Sequence, residues 1–118
     1  VYLPKADLRV ANATALPFRK QSFDIILTDA TLLYVNPKEI ELVMQEFRRI
    51  AKRALVLCEW HADDSMLGVI RDYHWARDYS TLAKQYGFSS GIRLKIHENI
   101  WPGRNWAKHG YIYVAVRQ

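Results

Sequence analysis

The sequence predicts one α/β domain with a mostly parallel sheet that ends in an antiparallel pair of strands. Three observations predict this fold. The 118 residues are enough for one core and too few for two. Short apolar runs alternate with helical patterns along the chain. Leu55–Cys58 is apolar without a break, as in a strand that is covered on both faces. We therefore expect residues 1–118 to form a single domain.

The first half of the chain predicts two strands, a helix and a third strand. The strands are expected near residues 8–12, 23–28 and 54–59, and the helix over residues 37–52. Pro37 takes the favoured first position of the helix, with Asn36 as its N-cap. The helix connects the last two of these strands, which should therefore be parallel. Its apolar residues recur at helical spacing and predict one buried stripe, made of Ile40, Val43, Met44, Phe47, Ile50 and Ala51.

The second half predicts a short helix, a longer helix and two strands. The short helix would start in Asp63–Ser65, and the longer one covers residues 76–86 with Gly87 at its C-terminal position. Strands are expected over residues 92–100 and 110–117, and residues 101–106 form a turn-rich loop. Because a loop alone joins these two strands, they are predicted to be antiparallel.

Composition is typical of a globular domain, with 50% apolar and 25% charged residues. The apolar stretches are only as long as strands, which argues against a membrane span. The single cysteine, Cys58, cannot form an internal disulfide, and it favours a core position in a reducing, cytoplasmic setting. The chain opens on Val1 without a signal pattern, from which we expect a trimmed or fragmentary chain.

The formal net charge of +5 raises the question of nucleic-acid binding. The basic residues are spread along the chain, however, and the densest group is Arg48, Arg49, Lys52 and Arg53. These residues lie at the end of the predicted helix, where cations offset the helix dipole. This interpretation is favoured over a phosphate-binding patch, and no nucleic-acid partner is expected.

Several segments together resemble a known enzyme family. They are VANATALPF (10–18), SFDIIL (22–27), FRRIA (47–51) and LVLCE (55–59), followed by WARDY (75–79), GF (87–88) and WPGRNWAKHGY (101–111). Their order and spacing resemble the second half of a class I S-adenosylmethionine-dependent methyltransferase of the type 11 group. The resemblance covers nearly the whole chain. It implies a Rossmann-like sheet, S-adenosylmethionine as cofactor, and methyl transfer to a small molecule.

The resemblance places one part of the cofactor site at the end of the first predicted strand. The family usually has an aspartate where this chain has Asn12. That side chain accepts a hydrogen bond from the adenine amino group, and the next backbone N–H, here that of Ala13, donates to the ring. An asparagine oxygen can still accept, without the strength that a full charge adds. Alternatively, Asn12 is a turn residue that bonds its own backbone.

A second part of the implied site follows the next strand. Thr28, Asp29 and Ala30 end the predicted strand, and ligands of open α/β sheets bind beyond the carboxyl ends of the strands. In the resembled family this segment lies beside the cofactor and the transferred methyl group, which makes Asp29 a candidate catalytic residue. Alternatively, Asp29 caps a helical turn that begins near Thr31.

Other polar and aromatic residues are expected nearby. Glu59 and His61 end the third strand at the same sheet edge, and His61 could act as a catalytic base. A lone histidine after a strand is, however, more often a surface or supporting residue. Tyr73, His74 and Trp75 could form a substrate lid or cover the core. The four histidines have no metal-ligand spacing, so no metal is expected.

The cofactor site implied by the resemblance is incomplete. The family's glycine-rich loop has no counterpart, because none of the five glycines forms a Gly-x-Gly cluster after a strand. The chain begins where the family's third strand begins. We therefore expect the isolated chain to bind S-adenosylmethionine poorly, and to form a homo-oligomer, most simply a dimer, through uncovered strands. The alternative is a non-catalytic remnant of the fold that associates with itself or a partner. The methyl acceptor cannot be named from the sequence.

Overall fold

The computed structural model describes residues 4–63, 69–71 and 74–118. In chain order the elements are β1 (Phe23–Asp29), a 3₁₀ turn (Leu32–Tyr34), α1 (Ile40–Ile50), β2 (Ala51–Trp60), β3 (Val69–Arg71), β4 (His74–Trp75), α2 (Tyr79–Gln85), β5 (Ile92–Lys95), α3 (Arg104–His109) and β6 (Gly110–Val116). None of the helices in this part of the chain is long and apolar enough to cross a membrane.

Four strands form the main sheet in the order β1-β2-β6-β5, and β3 pairs with β4 separately. β1 and β2 are parallel and are connected by α1. β6 lies between β2 and β5 and is antiparallel to both. Three of the four strands therefore run in one direction, with β6 inserted between them in the opposite direction. The α/β class and the antiparallel pairing of the last two strands are confirmed.

Helix α1 packs on the sheet through the predicted stripe. Its residues Ile40, Val43, Met44, Phe47 and Ile50 are all buried, and the first four form one core with Leu55, Leu57, Tyr113 and Ala115 of the sheet and with residues of α2. The helix begins at Ile40 because residues 37–39 form a turn. The side-chain oxygen of Asn36 accepts hydrogen bonds from the N–H groups of Lys38 and Glu39, each at 2.9 Å. Asn36 thus caps the turn that leads into the helix.

The predicted strand at residues 8–12 is wrong. Residues 6–11 have no regular structure, and Leu8 and Val10 are fully accessible, with 86% and 105% relative exposure. A strand needs a neighbour to accept and donate its ladder hydrogen bonds, and the described residues offer none to this segment. Its apolar pattern indicated a strand but not the partner that a strand requires.

The remaining boundaries shift by smaller amounts. The predicted strand over 92–100 ends at Lys95. The segment expected to be a loop contains α3, which begins directly after Gly103. The predicted helix over 76–86 is confirmed as Tyr79–Gln85, with Gly87 in a left-handed conformation after it (φ 85°). The short helix expected to start in 63–65 and to contain Val69 and Ile70 is wrong at these two residues, which belong to β3, while residues 64–68 lie outside the described part of the chain.

The two faces of the sheet differ in how well they are covered. The face that carries Leu55 and Leu57 packs under α1 and α2. Because side chains alternate along a strand, the residues between them point to the opposite face. That face, here named the bare face, comprises the exposed residues Phe23, Ile25, Leu27, Ile92, Leu94 and Val116, and the half-buried residues Ala54, Val56, Cys58, Ile112 and Val114.

Candidate functional site

The carboxyl ends of the parallel strands β1 and β2 meet at one edge of the sheet. Thr28 and Asp29 pair with Leu57 and Cys58 in the parallel register. The N–H of Ala30 extends the ladder by donating to the carbonyl of Cys58 at 2.9 Å. The structure therefore brings Thr28, Asp29 and Ala30 together beside the end of β2. Thr28 is buried, whereas Asp29 is exposed at the edge.

Ala30 turns the chain sharply after β1. Its φ of 50° lies in the left-handed region, which costs a residue with a side chain about 1 kcal/mol or more. Such conformations persist where the surroundings hold them, and they concentrate at functional sites. Here the hydrogen bond to Cys58 holds the backbone, and the turn directs the chain into the 3₁₀ turn Leu32–Tyr34.

The buried carboxylate of Glu59 holds the beginning of the 3₁₀ turn. Glu59 is 1% exposed. It accepts hydrogen bonds from the backbone N–H groups of Thr31 and Leu33, each at 3.1 Å. Burial raises the pKa of Glu59, and the hydrogen bonds from the N–H groups of the turn oppose this rise. Glu59 is therefore a positioning residue for the segment after β1.

Arg77 holds the end of the same turn, and sequence reasoning missed it. Its side chain is 1% exposed. Nη1 donates to the carbonyl of Leu32 at 2.6 Å, and Nη2 donates to the carbonyl of Val35. Glu59 thus binds the N–H end of the turn and Arg77 the carbonyl end, an arrangement that follows the dipole of the turn. We call this pair the Glu59–Arg77 clamp. The signal available in the sequence was an arginine within the apolar and aromatic segment WARDY.

A cavity of about 350 Å³ opens next to Ala30. Its walls come from the 3₁₀ turn, the end of β2, β4 and α3. The lining residues are Ala30, Leu33, Tyr34, Trp60, His74, Gly103, Arg104, Asn105 and Trp106. The rings of Tyr34 and His74 lie 4.7 Å apart between centroids, those of Trp60 and His74 5.6 Å, and those of Trp60 and Trp106 5.9 Å. The cavity is therefore walled by a continuous series of aromatic rings.

Cys58 lies next to the edge but is not suited to act as a nucleophile. Burial raises the pKa of its thiol to about 12, and the neighbouring Asp29 carboxylate adds to this rise. The thiol therefore remains protonated at neutral pH. Cys58 behaves as a small side chain of the bare face rather than as a reactive group.

The structure separates His61 from Asp29. Asp29 pairs with Cys58 and shares its face, whereas His61 lies on the covered face, where its ring centroid is 5.7 Å from that of Tyr111. His61 is 4% exposed, and its Nε2 lies 2.6 Å from Nη1 of Arg93. Burial lowers the pKa of His61 and the charge of Arg93 lowers it further, while Asp63 and Asp78 oppose the shift. Its role as a catalytic base stays a prediction.

Asn12 forms a local turn. Its side-chain oxygen accepts from the backbone N–H of Thr14 at 3.0 Å and from the Thr14 hydroxyl at 2.7 Å. Both acceptor positions of that oxygen are therefore used within the turn, which favours the turn interpretation in this conformation. Ala13 packs against the core. No hydrogen bond of the described residues joins Asn12 to Thr28, Asp29 or Ala30, and the adenine contacts of Asn12 and Ala13 stay predictions.

The aromatic residues proposed as a lid lie in different places. His74 lines the cavity. Trp75 is buried in β4, and the guanidinium of Arg77 lies 5.9 Å from its ring centroid. Tyr73 lies outside the described residues. Of these three residues, His74 is the one that the structure places at the cavity.

Comparison with known proteins identifies the fold. Residues 2–57 match the family model described as "Methyltransferase domain". A S-adenosylmethionine-dependent methyltransferase from Methanosarcina mazei has the same fold over 96% of this chain and 68% of its own, with a TM-score of 0.67 and 20% identity. The chain has the fold of a class I methyltransferase.

Two further structures of similar fold extend this comparison. A S-adenosylmethionine-dependent methyltransferase from Thermotoga maritima is 17% identical, with a TM-score of 0.65, over 92% of this chain and 62% of its own. A chain of the complex between a methyltransferase activator and a methyltransferase from Haloferax volcanii is 14% identical, with a TM-score of 0.63, over 92% of this chain and 60% of its own. The methyltransferase-like chain thus spans about 60% to 68% of the length of these proteins. No curated protein matches it in sequence.

The cofactor that the methyltransferase match implies is S-adenosylmethionine, and the described residues fit part of it. The segment Thr28–Ala30 ends at an open sheet edge beside a cavity, which suits the methyl-bearing part of the cofactor. The glycine-rich cluster that would approach the methionine part has no counterpart in the sequence. The described residues therefore match one part of a S-adenosylmethionine site and not the part formed by the glycine-rich cluster.

Proposed function

We propose that this chain forms the acceptor-side half of a S-adenosylmethionine-dependent methyltransferase that acts on a small molecule. The observation that carries the proposal is the position of the cavity. It opens against Ala30 at the carboxyl ends of β1 and β2, where open α/β sheets bind their ligands. When bound, the cofactor would supply an electrophilic methyl group at this edge.

The residues of this chain would then have distinct roles. Thr28, Asp29 and Ala30 would lie beside the cofactor, with Asn12 and Ala13 at its adenine. Asp29 is an exposed carboxylate at the edge and is the better placed of the two catalytic candidates, because His61 lies on the covered face. The Glu59–Arg77 clamp would fix the segment between Ala30 and Val35 against the cavity.

The isolated chain should bind the cofactor weakly. A site without its glycine loop and ribose contacts would lose at least three hydrogen bonds of about 1 kcal/mol each, which weakens binding about a hundredfold. Isothermal titration of the 118-residue chain with S-adenosylmethionine measures this directly. A monomeric chain that binds the cofactor at micromolar concentration would contradict the incomplete site.

A second candidate function is self-association without catalysis, and the bare face favours it. Leu27 and Ile92 at the two edges of the sheet are 67% and 66% exposed, and the residues between them on this face are also apolar. Such contiguous apolar surfaces seldom remain in contact with water. Among the described residues β1 pairs with β2 alone, and free strand edges pair with other chains. We propose a homodimer through this face, in the cytoplasm.

Sedimentation and binding together distinguish the two functions. A dimer that binds no cofactor at millimolar concentration would support the non-catalytic module. If S-adenosylmethionine, at any concentration, shifts the resonances of Asp29 or Ala30 in a nuclear magnetic resonance titration, the result would support the methyltransferase. Resonances that shift only at distant residues would count against it.

A further inference from the structure

The aromatic cavity at Ala30 carries information about the chemistry of its ligand. Four of its nine lining residues contribute rings, which are those of Tyr34, Trp60, His74 and Trp106. They come from four separate elements, so the fold, and not one local sequence, assembles them. Aromatic walls favour flat, unsaturated ligands that stack on them or meet them edge to face. The volume of about 350 Å³ lies at the lower end of the range for small-molecule sites, which suits one or two rings.

The charge of the cavity favours an anion over a cation. Among the nine described residues that line the cavity, Arg104 is the one with a permanent charge, and none is an acid. Arg104 is exposed at the first position of α3, where its guanidinium can meet a carboxylate with two parallel hydrogen bonds. A protonated amine would face this charge with no compensating carboxylate among the described lining residues.

From these two features we propose that the cavity binds a planar aromatic acid, with its ring against Tyr34, Trp60 and Trp106 and its carboxylate at Arg104. The binding claim depends on the cavity alone. That such an acid is the methyl acceptor rests on the proposed function.

The proposal is tested by binding without any cofactor. The probes are 4-hydroxybenzoate, its cationic counterpart tyramine and the non-aromatic cyclohexanecarboxylate, each titrated into the 118-residue chain and followed by tryptophan fluorescence and by calorimetry. We expect 4-hydroxybenzoate to bind at least tenfold more tightly than either of the other two. Equal or tighter binding of tyramine or cyclohexanecarboxylate overturns the proposal, and so does the absence of binding by all three at millimolar concentration.

Two variants at exposed residues test whether the carboxylate of the ligand binds at Arg104. Arg104→Gln should weaken 4-hydroxybenzoate about five- to tenfold, the usual effect of one charge-assisted contact, and should leave tyramine unchanged or tighter. Lys108→Gln removes one positive charge from the same helix at an exposed residue that does not line the cavity, so it is the matched control. Equal losses in the two variants would indicate a general charge effect and overturn the site at Arg104.

The outcome also separates this inference from the proposed function. Selective binding of 4-hydroxybenzoate to a chain that never binds S-adenosylmethionine would support the cavity and contradict the methyltransferase. Binding of S-adenosylmethionine at Asp29 and Ala30, without binding of 4-hydroxybenzoate, would support the methyltransferase and contradict the proposed ligand of the cavity.

Discussion

At the scale of single residues, Glu59 is the group on which the local geometry of the site depends most. It is buried, and its carboxylate satisfies two backbone N–H groups at the start of the 3₁₀ turn. Burial of the carboxyl group raises its pKa, and the hydrogen bonds that it accepts from the turn oppose this rise. A change of this side chain therefore affects the backbone after β1 before it affects any chemistry.

We predict that Glu59→Ala lowers the free energy of unfolding by about 2–4 kcal/mol, because it leaves buried N–H groups without an acceptor. Glu59→Gln keeps one acceptor oxygen and should cost less than half as much. Denaturant titration measures both. Glu98→Gln, a change at an exposed residue outside the helices and strands, is the control. Equal losses in the alanine and glutamine variants would contradict the role of the acceptor.

His61 gives a prediction about pH. Burial and the nearby charge of Arg93 lower its pKa in the folded state, against the opposing effect of Asp63 and Asp78. The unfolded chain then binds a proton more readily than the folded chain. The contribution of His61 to stability is therefore full above its unfolded pKa of about 6.5 and is lost as the pH falls below that value.

The measurement is the unfolding free energy across this pH window. His61→Gln should reduce the loss of stability on acidification. Part of the loss of stability on acidification should remain in this variant. Burial also lowers the pKa of His109, which destabilises the folded chain in the same direction as the pH falls. His97→Gln, at an exposed loop residue, is the control variant. A profile that His61→Gln does not alter would show that another group governs it.

At the scale of elements, the 3₁₀ turn is too short to be stable by itself and depends on the Glu59–Arg77 clamp. Three residues form the turn, and short helical segments have few internal hydrogen bonds. Arg77 supplies donors to the carbonyls of Leu32 and Val35. The segment before α2 therefore fixes the segment after β1 across the sheet edge.

Arg77→Lys should destabilise the chain by about 2–4 kcal/mol although it retains the charge, because an ammonium group cannot reproduce the two-pronged contact of a guanidinium. The same change at Arg53, whose side chain is 74% exposed, should have little effect. Thermal unfolding compares the two variants. A loss at Arg53 as large as that at Arg77 would contradict the clamp.

The same scale explains what could be predicted from the sequence. The helical spacing from Ile40 to Ile50 and the apolar run at Leu55 depend on neighbouring residues, and both elements were predicted correctly. A strand at Leu8 would need a partner strand, and the local spacing of apolar residues does not reveal whether one is present. α3 was missed because Pro102 and Gly103 indicated a loop, although a helix can start directly after them.

The candidate site was less predictable than the fold. Thr28–Ala30 follow a strand directly, so their place at the sheet edge could be inferred. Arg77 depends on carbonyl groups more than forty positions earlier in the chain, and no local pattern encodes that contact. His61 was expected at the same edge as Asp29, but the alternation of side chains along β2 places its ring on the covered face.

At the scale of the whole molecule, the bare face is the surface through which the proposed homodimer would form. We predict that Leu27→Gln shifts the sedimentation of the chain from dimer towards monomer, because Leu27 is 67% exposed on this face and its burial would drive association. Leu8→Gln is the matched control, since Leu8 is 86% exposed and outside the sheet. If the unaltered chain is a monomer, or both variants weaken the dimer equally, the bare face is not the interface.

The strand order has a further consequence for how the chain folds. β1, α1 and β2 are consecutive, and Thr28 meets Leu57 within one crossover unit. Leu57 also pairs with Tyr113, which lies 56 positions later. Contacts that distant in sequence form slowly, because a long loop must close before they are made. During synthesis, the inner edge of β2 therefore remains unpaired until residues 110–116 are made, and so does β5, which pairs with no other strand among the described residues. We expect the pairing of β6 to set the rate at which the sheet is completed.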